Sequence, residues 1–168
     1  LDVTSKSEAL EKLTDDDVQL AVWTTTPWTL PANLAVAVNG DLTYAVVDSG
    51  ARKLIVAEDL VDELAAKFDT PLNVIGLLKG EALVGTQYQR PVPNNAISGD
   101  ASVVLGGDYI TSEGGTGLVH TAPGHGQDDY QTGLKYDLPP FSPVDAAGKF
   151  TAEAGSDLEG LPVLTKGS

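Results

Sequence analysis

Short apolar stretches rich in β-branched residues recur along the chain, and each ends at Gly, Pro, Asn or a charged run. Stretches of roughly four to eight such residues are typical of strands. We therefore predict strands at Val18–Thr25, Leu34–Val38, Thr43–Asp48, Lys53–Ala57, Asn73–Leu78, Ala101–Leu105, Asp108–Thr111 and Gly117–Thr121. Ser142–Thr151 has the pattern of a hairpin around Ala147-Gly148.

Helical periodicity is rarer. Over Glu58–Phe68 the apolar residues recur at the spacing of one helix face. Asp128–Tyr136 begins with acids and has Lys135 near its end, which suits the helix dipole. Ser7–Asp17 is mostly charged, and we expect a solvated lead-in there. Many short strands with two helices predict an α+β fold with a closed or nearly closed β-barrel.

Length and composition limit the class of protein. At 168 residues with 42% hydrophobic content, the chain fits one globular domain spanning residues 1–168. It has no cysteine, so disulfides and thiolate metal sites are excluded. No apolar run approaches the roughly 20 residues of a membrane span. We expect a cytoplasmic protein without membrane contact, and an organellar location stays open.

The charge is strongly acidic. Ten Lys and Arg stand against 24 Asp and Glu, for a net charge of −14. No cation lies between Lys12 and Arg52 or between Arg90 and Lys135. Binding to phosphates requires clustered cations, so we expect any nucleic-acid partner to be held mainly from outside this chain. A plain acidic surface is the alternative interpretation.

Two segments carry candidate chemistry. In the first, Trp23–Asn33, four threonines fall within six positions, and Pro27 and Pro31 remove N–H donors and prevent a central strand. We expect an irregular, extended loop whose hydroxyls line a surface, although a Thr-rich strand with a Pro-rich turn has the same composition. In the second, Gly114–Tyr130, a strand runs into a Pro/Gly-rich turn before a helix. Its glycines match neither a P-loop nor the dinucleotide fingerprint.

Taken together, the two segments are more specific. The strings Thr-Thr-Thr-Pro-Trp-Thr-Leu-Pro-Ala-Asn and Gly-Thr-Gly-Leu-Val-His-Thr-Ala-Pro-Gly-His-Gly resemble the paired motifs of the editing insertion (connective peptide 1) in class Ia aminoacyl-tRNA synthetases. Relatives specific for valine or leucine have Arg-Pro after two threonines, whereas Thr26-Pro27-Trp28 resembles the isoleucine enzyme. The resemblance extends from about Gln19 to Pro162. Because the nucleotide-binding signatures are absent, it implies an inserted domain excised from a larger synthetase.

The family implies a proofreading activity. A pocket discriminates one methylene by only ~1–3 kcal/mol, a limit for which isoleucine-specific synthetases are the standard example. The resemblance therefore implies hydrolysis of valyl-tRNA(Ile), with valyl-adenylate as a second candidate substrate. It implies the 3′ end of tRNA(Ile) and the rest of the parent synthetase as partners, a monomer, and no cofactor or metal. A valine-type editing domain that clears threonine, and a binding module of the same fold without hydrolysis, are the alternatives.

The resemblance assigns roles to two charged or polar residues of the second segment. Asp129 matches the ligand of the substrate's α-ammonium group, although spacing alone leaves it equivalent to Asp128 as an acid at a helix start. His120 matches the filter that collides with the extra methyl of isoleucine, although a strand histidine with satisfied hydrogen bonds is the ordinary interpretation. Zinc bound by these residues and His125 is a weaker alternative, because a Pro-Gly turn interrupts the histidine spacing. We expect His125 to bond across that turn.

The first segment is expected to hold the ester and the attacking water. The predicted catalytic residues are Thr24, Thr25, Thr26 and Asp129. The predicted substrate-binding residues are Trp23, Trp28, Thr29, Asn33, His120 and Asp129. Neither segment supplies a nucleophile with a paired base, or a cation for an oxyanion. The sequence thus favours a mechanism in which hydroxyls and amides position water on an activated ester.

Overall fold

Short strands form two sheets in the computed structural model, which describes residues 1–164. The strands are β1 (Val3–Ser5), β2 (Val18–Leu20), β3 (Ala35–Val38), β4 (Thr43–Asp48), β5 (Lys53–Ala57), β6 (Asn73–Lys79), β7 (Gln87–Tyr88), β8 (Ala101–Leu105) and β9 (Val119–Thr121). The α-helices are α1 (Glu8–Leu13), α2 (Val61–Phe68) and α3 (Gln127–Lys135). Short 3-10 helices cover Pro27–Ala32, Glu58–Leu60, Gly80–Leu83 and Ala152–Ala154.

The sheet topology confirms the predicted α+β class. One sheet has the order β1-β7-β8-β3-β9 and the other β2-β5-β4-β6. Neighbouring strands are antiparallel except for the pairs β2/β5 and β3/β8. The core is therefore built of short, mostly antiparallel strands with peripheral helices.

The barrel does not close fully. Isolated bridges connect both edges of the five-stranded sheet to the segment 18–23, through Asp2 with Gln19 and through Trp23 with Val119. No continuous ladder completes a cylinder among residues 1–164. Strand β2 and the residues that follow it to Trp23 span the gap between the two edges of the five-stranded sheet. The fold is barrel-like only in this sense.

Strand β3 is an internal, fully buried strand of the five-stranded sheet, next to its edge strand β9. All four of its residues are buried, between β8 on one side and β9 on the other. Val36 is opposite His120 in the antiparallel register with β9. A strand whose side chains are buried on both faces is held by packing and by both ladders, so it gives β9 a fixed support.

The two predicted helices are present, and β4, β5 and β8 have their predicted bounds. Two further strand predictions extend too far. The strand predicted over Val18–Thr25 ends at Leu20, after which only Trp23 makes a bridge. The strand predicted from Gly117 begins at Val119, because Gly117 has a φ of 77°, which is left-handed backbone.

One predicted strand is a turn, and the predicted hairpin is present but short. No strand covers Asp108–Thr111 in the described part of the chain; Ile110 N–H donates to Gly107 O at 3.2 Å, and the Ile110 side chain is buried. The hairpin predicted over Ser142–Thr151 has one bridge, between Val144 and Phe150, flanked by hydrogen bonds from Asp145 N–H to Lys149 O at 2.8 Å and from Thr151 N–H to Pro143 O at 3.0 Å. There Asp145 Oδ1 accepts hydrogen bonds from backbone N–H groups of the turn and takes the place of a longer ladder.

The predicted lead-in at Ser7–Asp17 is wrong, since it contains α1. Ser7 caps this helix, with Oγ accepting from Leu10 N–H at 3.4 Å and donating to Ala82 O at 2.6 Å. The Leu10 side chain is fully buried in the main core. The buried Leu10 side chain and the Ser7 cap stabilise this helix, although the segment around it is mostly charged.

Candidate functional site

The two chemistry-bearing segments meet in a cleft of about 270 Å³. Strand β9 brings them together, because it pairs with β3 on one side and bridges to Trp23 on the other. Leu34 N–H also donates to Thr121 O at 3.0 Å, which fixes the end of the first segment beside the second. The cleft is lined from the first segment by Trp23, Thr24, Thr25, Thr26 and Thr29, and from the second by His120, His125 and Asp129.

The threonine segment is a compact turn and not the extended loop that its prolines predicted. Pro27 begins a 3-10 helix, a position where its missing N–H has no intrahelical acceptor to lose. Ahead of it, Thr24 Oγ1 accepts from Thr26 N–H at 3.0 Å and lies 3.4 Å from Thr26 Oγ1. Thr25 and Thr26 are exposed to the cleft, whereas Thr29 is buried. Hydroxyls therefore face solvent where the turn begins and face the core where it continues.

His120 is buried at the base of the cleft with both ring nitrogens occupied. Its Nε2 lies 3.0 Å from Thr29 Oγ1, and its Nδ1 lies 2.7 Å from Asn33 Nδ2. Burial, together with the neighbouring His125, lowers the pKa of His120 to about 4. The ring is thus neutral at physiological pH, and it has no free nitrogen with which to take a proton from water.

Asn33 lies behind His120 and does not line the cleft. Its side chain is almost fully buried and donates to Ala35 O at 3.0 Å, while its Oδ1 accepts from Tyr88 Oη at 2.6 Å. Arg90 Nη1 donates to the Asn33 carbonyl at 2.6 Å. Asn33 therefore braces the site, whereas the sequence also allowed it to bond the substrate.

Asp129 and Asp128 differ in burial. Asp129 lines the cleft and is half-buried, and its Oδ2 accepts from Ala122 N–H at 2.9 Å. Burial raises its pKa, with a further contribution from Asp128. Asp128 is exposed on the first turn of α3 and does not line this cleft. A carboxylate that lines a cleft and is partly shielded from solvent is suited to bind a cationic ligand.

His125 contributes a second imidazole to the cleft. Its backbone N–H donates to Ala122 O at 2.9 Å, which is the predicted bond across the turn. The ring itself packs edge-on against Trp28, with centroids 5.1 Å apart, and burial lowers its pKa. Its Nε2 is buried and has no hydrogen-bond partner in the described residues. The sequence did not predict that this side chain lines the site.

The two tryptophans lie at different depths. Trp23 is 63% exposed at the rim of the cleft, where it packs over Gly115. Trp28 is half-buried against His125 and does not line the cleft. Of the predicted substrate-binding residues, Trp28 and Asn33 thus form the layer behind the site.

Residues 1–164 contain no group of three or more His, Cys, Asp or Glu side chains placed to hold a metal ion. The zinc alternative weighed from the sequence is therefore without a ligand set in this part of the chain.

Curated relatives match the chain over nearly all of its length. No family model matches it. The chain is 53% identical over 170 residues to the isoleucine–tRNA ligase of Gloeothece citriformis, a match that covers 96% of this chain and 17% of that protein. It is 51% identical over 178 residues to that of a Nostoc species, covering 99% of this chain and 18% of the relative.

The chain is similar in sequence to a segment of isoleucyl-tRNA synthetases. It spans about 17% of the length of these relatives, so it corresponds to one segment of them.

Solved structures identify the fold of that segment. The crystal structure of GlLeuRS-CP1 matches with a TM-score of 0.65 and 20% identity, over 87% of this chain and 63% of that one. The editing domain of the P. knowlesi cytosolic leucyl-tRNA synthetase matches with a TM-score of 0.58 and 17% identity, over 77% and 57% respectively. At these identities the likeness concerns the fold, which is that of a synthetase editing domain.

No helix among the described residues is long and apolar enough to cross a membrane.

Proposed function

We propose that the cleft hydrolyses the ester of valyl-tRNA(Ile), as the editing site of an isoleucyl-tRNA synthetase. The observation that carries the proposal is the meeting of the Thr24–Thr26 hydroxyls, the half-buried Asp129 carboxylate and the buried His120 ring in one cleft of about 270 Å³. The identity of 51–53% to isoleucine–tRNA ligases supports an isoleucine-specific parent enzyme over one specific for valine or leucine.

The carboxylate is the binding partner of the substrate ammonium. Burial disfavours the charged form of Asp129, so an entering cation restores an interaction that solvent no longer supplies. The Ala122 N–H holds Oδ2 and leaves Oδ1 for that cation. A charge-assisted bond of this kind is worth ~1.5–3 kcal/mol.

The reaction proceeds by positioned water. The water oxygen bonds to the carbonyl carbon, the bond from that carbon to the ribose oxygen breaks, and the ribose oxygen receives a proton. The Thr24, Thr25 and Thr26 hydroxyls orient the water and the carbonyl. His120 has both nitrogens occupied and does not act as the base. The vicinal ribose hydroxyl of the substrate shuttles the proton.

His120 is the size filter, and the rim aromatic Trp23 contacts the terminal nucleotide. The His120 ring is buried and held on both sides, so it forms a wall that does not yield to an extra methyl group. Valyl-adenylate presents the same ammonium and a comparable activated acyl group, and it is the second substrate of the proposal.

The chain acts as one domain of residues 1–168 inserted in a larger, monomeric, cytoplasmic synthetase. The net charge of −14 opposes association with a polyanion, so the parent supplies most of the grip on tRNA(Ile). The domain needs only the 3′ end of the tRNA with its amino acid, and it uses no cofactor or metal.

The test is deacylation of tRNA charged with valine, threonine or isoleucine by a synthetase that contains this domain. We expect valyl-tRNA(Ile) to be hydrolysed at least about tenfold faster than the isoleucyl ester, in line with the discrimination of one methylene. Preferential hydrolysis of the threonyl ester would instead support the valine-type alternative. Binding of the valyl ester without hydrolysis would support a binding module.

A further inference from the structure

A buried chain of hydrogen bonds connects strand β7 to the threonine turn. It begins at Tyr88, which is fully buried and donates from Oη to Asn33 Oδ1 at 2.6 Å. It continues through Asn33 Nδ2 to His120 Nδ1 at 2.7 Å, and from His120 Nε2 to Thr29 Oγ1 at 3.0 Å. Thr29 Oγ1 donates to Thr26 O at 2.9 Å, so the chain ends at the wall of the cleft.

The orientation of the Asn33 amide is fixed at both ends. Ala35 O can only accept a hydrogen bond, so the amide nitrogen faces it at 3.0 Å. The Tyr88 hydroxyl fills the other side as a donor to the amide oxygen. Burial keeps this phenol protonated, since it raises the pKa of Tyr88 well above its usual value. Asn33 consequently presents an N–H to the imidazole.

That N–H decides where the His120 proton lies. Nδ1 faces a donor, so it must offer its lone pair, and the ring proton belongs on Nε2. Nε2–H then donates to Thr29 Oγ1, whose own proton goes to Thr26 O. Rotating the ring by 180° would place carbon atoms against both partners. The network therefore fixes the protonation state of the ring and also the edge that it turns toward the cleft.

We propose that Tyr88 is a positioning residue of the cleft, which acts through Asn33 to hold the His120 ring neutral, with its proton on Nε2 and one orientation. The single tautomer and orientation of the His120 ring are inferred from these contacts alone. Their consequence for substrate choice rests on the size-filter role proposed above, and the two are measured separately.

The first measurement needs no variant. The chain has two histidines, so long-range ¹H–¹⁵N spectra of the imidazole rings contain two spin systems. We expect His120 to show a protonated Nε2 and an unprotonated Nδ1, without titration above about pH 5. A proton on Nδ1, or titration near the ordinary histidine value of about 6.5, would overturn the proposal.

The second measurement uses Tyr88→Phe, which removes one buried hydroxyl and keeps the ring. Asn33 loses one of its two anchors, and we expect His120 to show mixed tautomers and to titrate at least about 0.5 pH unit higher. Tyr44→Phe is the matched control. Tyr44 is also fully buried, and its hydroxyl donates to Gly117 O at 2.7 Å and accepts from Asn39 N–H at 3.0 Å, outside the His120 network.

Tyr44→Phe should lower the melting temperature by a similar amount and leave the His120 signals unchanged. Equal His120 spectra in wild type and a folded Tyr88→Phe variant would contradict the positioning role. The same variants are then assayed as a synthetase for deacylation of valyl- and isoleucyl-tRNA(Ile). We expect the valine-to-isoleucine rate ratio to fall about fivefold in Tyr88→Phe, which corresponds to about 1 kcal/mol, and to stay constant in Tyr44→Phe.

A changed spectrum with an unchanged rate ratio would support the hold on the ring and count against the size-filter function. The failure of the positioning proposal and that of the proposed function are thereby distinguished.

Discussion

At the scale of single residues, burial separates two adjacent acids that sequence spacing leaves equivalent. Asp128 is exposed on the first turn of α3, where any carboxylate gains from the helix dipole. Asp129 reaches into the cleft, is held by Ala122 N–H, and has a pKa raised by burial. An acid with a raised pKa that structural bonds only partly satisfy is a strong candidate for ligand binding.

Asp129→Asn should reduce deacylation of valyl-tRNA(Ile) by at least about tenfold, because the ammonium loses a charge-assisted bond of ~1.5–3 kcal/mol. The asparagine oxygen can still accept from Ala122 N–H, so the fold and aminoacylation should be preserved. Asp128→Asn is the control, and we expect it to stay within about twofold of wild type. Equal rates for the two variants would refute the assignment of Asp129.

His120→Ala tests the size filter. Removing the ring opens space for the terminal methyl of isoleucine, so the variant should hydrolyse isoleucyl-tRNA(Ile) while still clearing valine. A catalytic histidine predicts instead that both rates fall together. A purely structural one predicts a lower melting temperature at constant preference. Deacylation of both esters and thermal unfolding of the same protein separate these outcomes, and an unchanged rate ratio in a folded variant speaks against the filter.

At the scale of elements, the sequence predicted those that carry their own periodicity. β4, β5, β8 and the α2 region each show an apolar pattern that local residues complete. Strands β1 and β7 were missed because they are only three and two residues long and exist through pairing with distant strands, β1 with β7 and β7 also with β8.

The same limit applies to the site. The meeting of the two motifs was predicted through the family resemblance. Their bracing was not, since Tyr88 and Asn33 are 55 positions apart and Asn33 and His120 are 87. No local pattern encodes a hydrogen bond between such distant residues.

Gly126 tests how the start of α3 positions Asp129. A Cβ at Gly126 would lie 2.9 Å from Asp129 Oδ2, so Gly126→Ala should push the carboxylate away from its place. We expect at least about a tenfold loss of valyl-tRNA deacylation with little change in stability, because the backbone there is extended and suits alanine. Gly114→Ala, where a Cβ meets nothing within 4 Å, serves as the control. A fully active Gly126→Ala protein would show that the carboxylate position is not critical.

At the scale of the whole molecule, the charge and the architecture both suit a domain that presents a cleft but binds tRNA weakly by itself. The sheets form a support for the cleft, and the net charge of −14 disfavours association of the domain with polyanions. This supports the proposal that the parent synthetase, and not this domain, captures the tRNA.

The isolated 168-residue chain should therefore bind tRNA(Ile) weakly, with a Kd above about 1 μM at physiological salt, because few phosphate contacts are available. Filter binding or fluorescence anisotropy over a salt series measures this, with a synthetase that contains the domain as the reference. Submicromolar binding by the isolated chain would contradict the view that the parent supplies the grip.

The two tryptophans of the chain both belong to the threonine turn, one at the rim and one behind it. All indole emission of this domain therefore originates within a few residues of the proposed catalytic hydroxyls. Trp23, being largely exposed, is open to collisional quenchers such as acrylamide, whereas Trp28 is shielded by His125. A ligand that enters the cleft covers the first indole and leaves the second nearly unchanged. Acrylamide quenching of the native fluorescence should thus report occupancy of this site without a label, as a change in the Trp23 contribution over a constant Trp28 contribution.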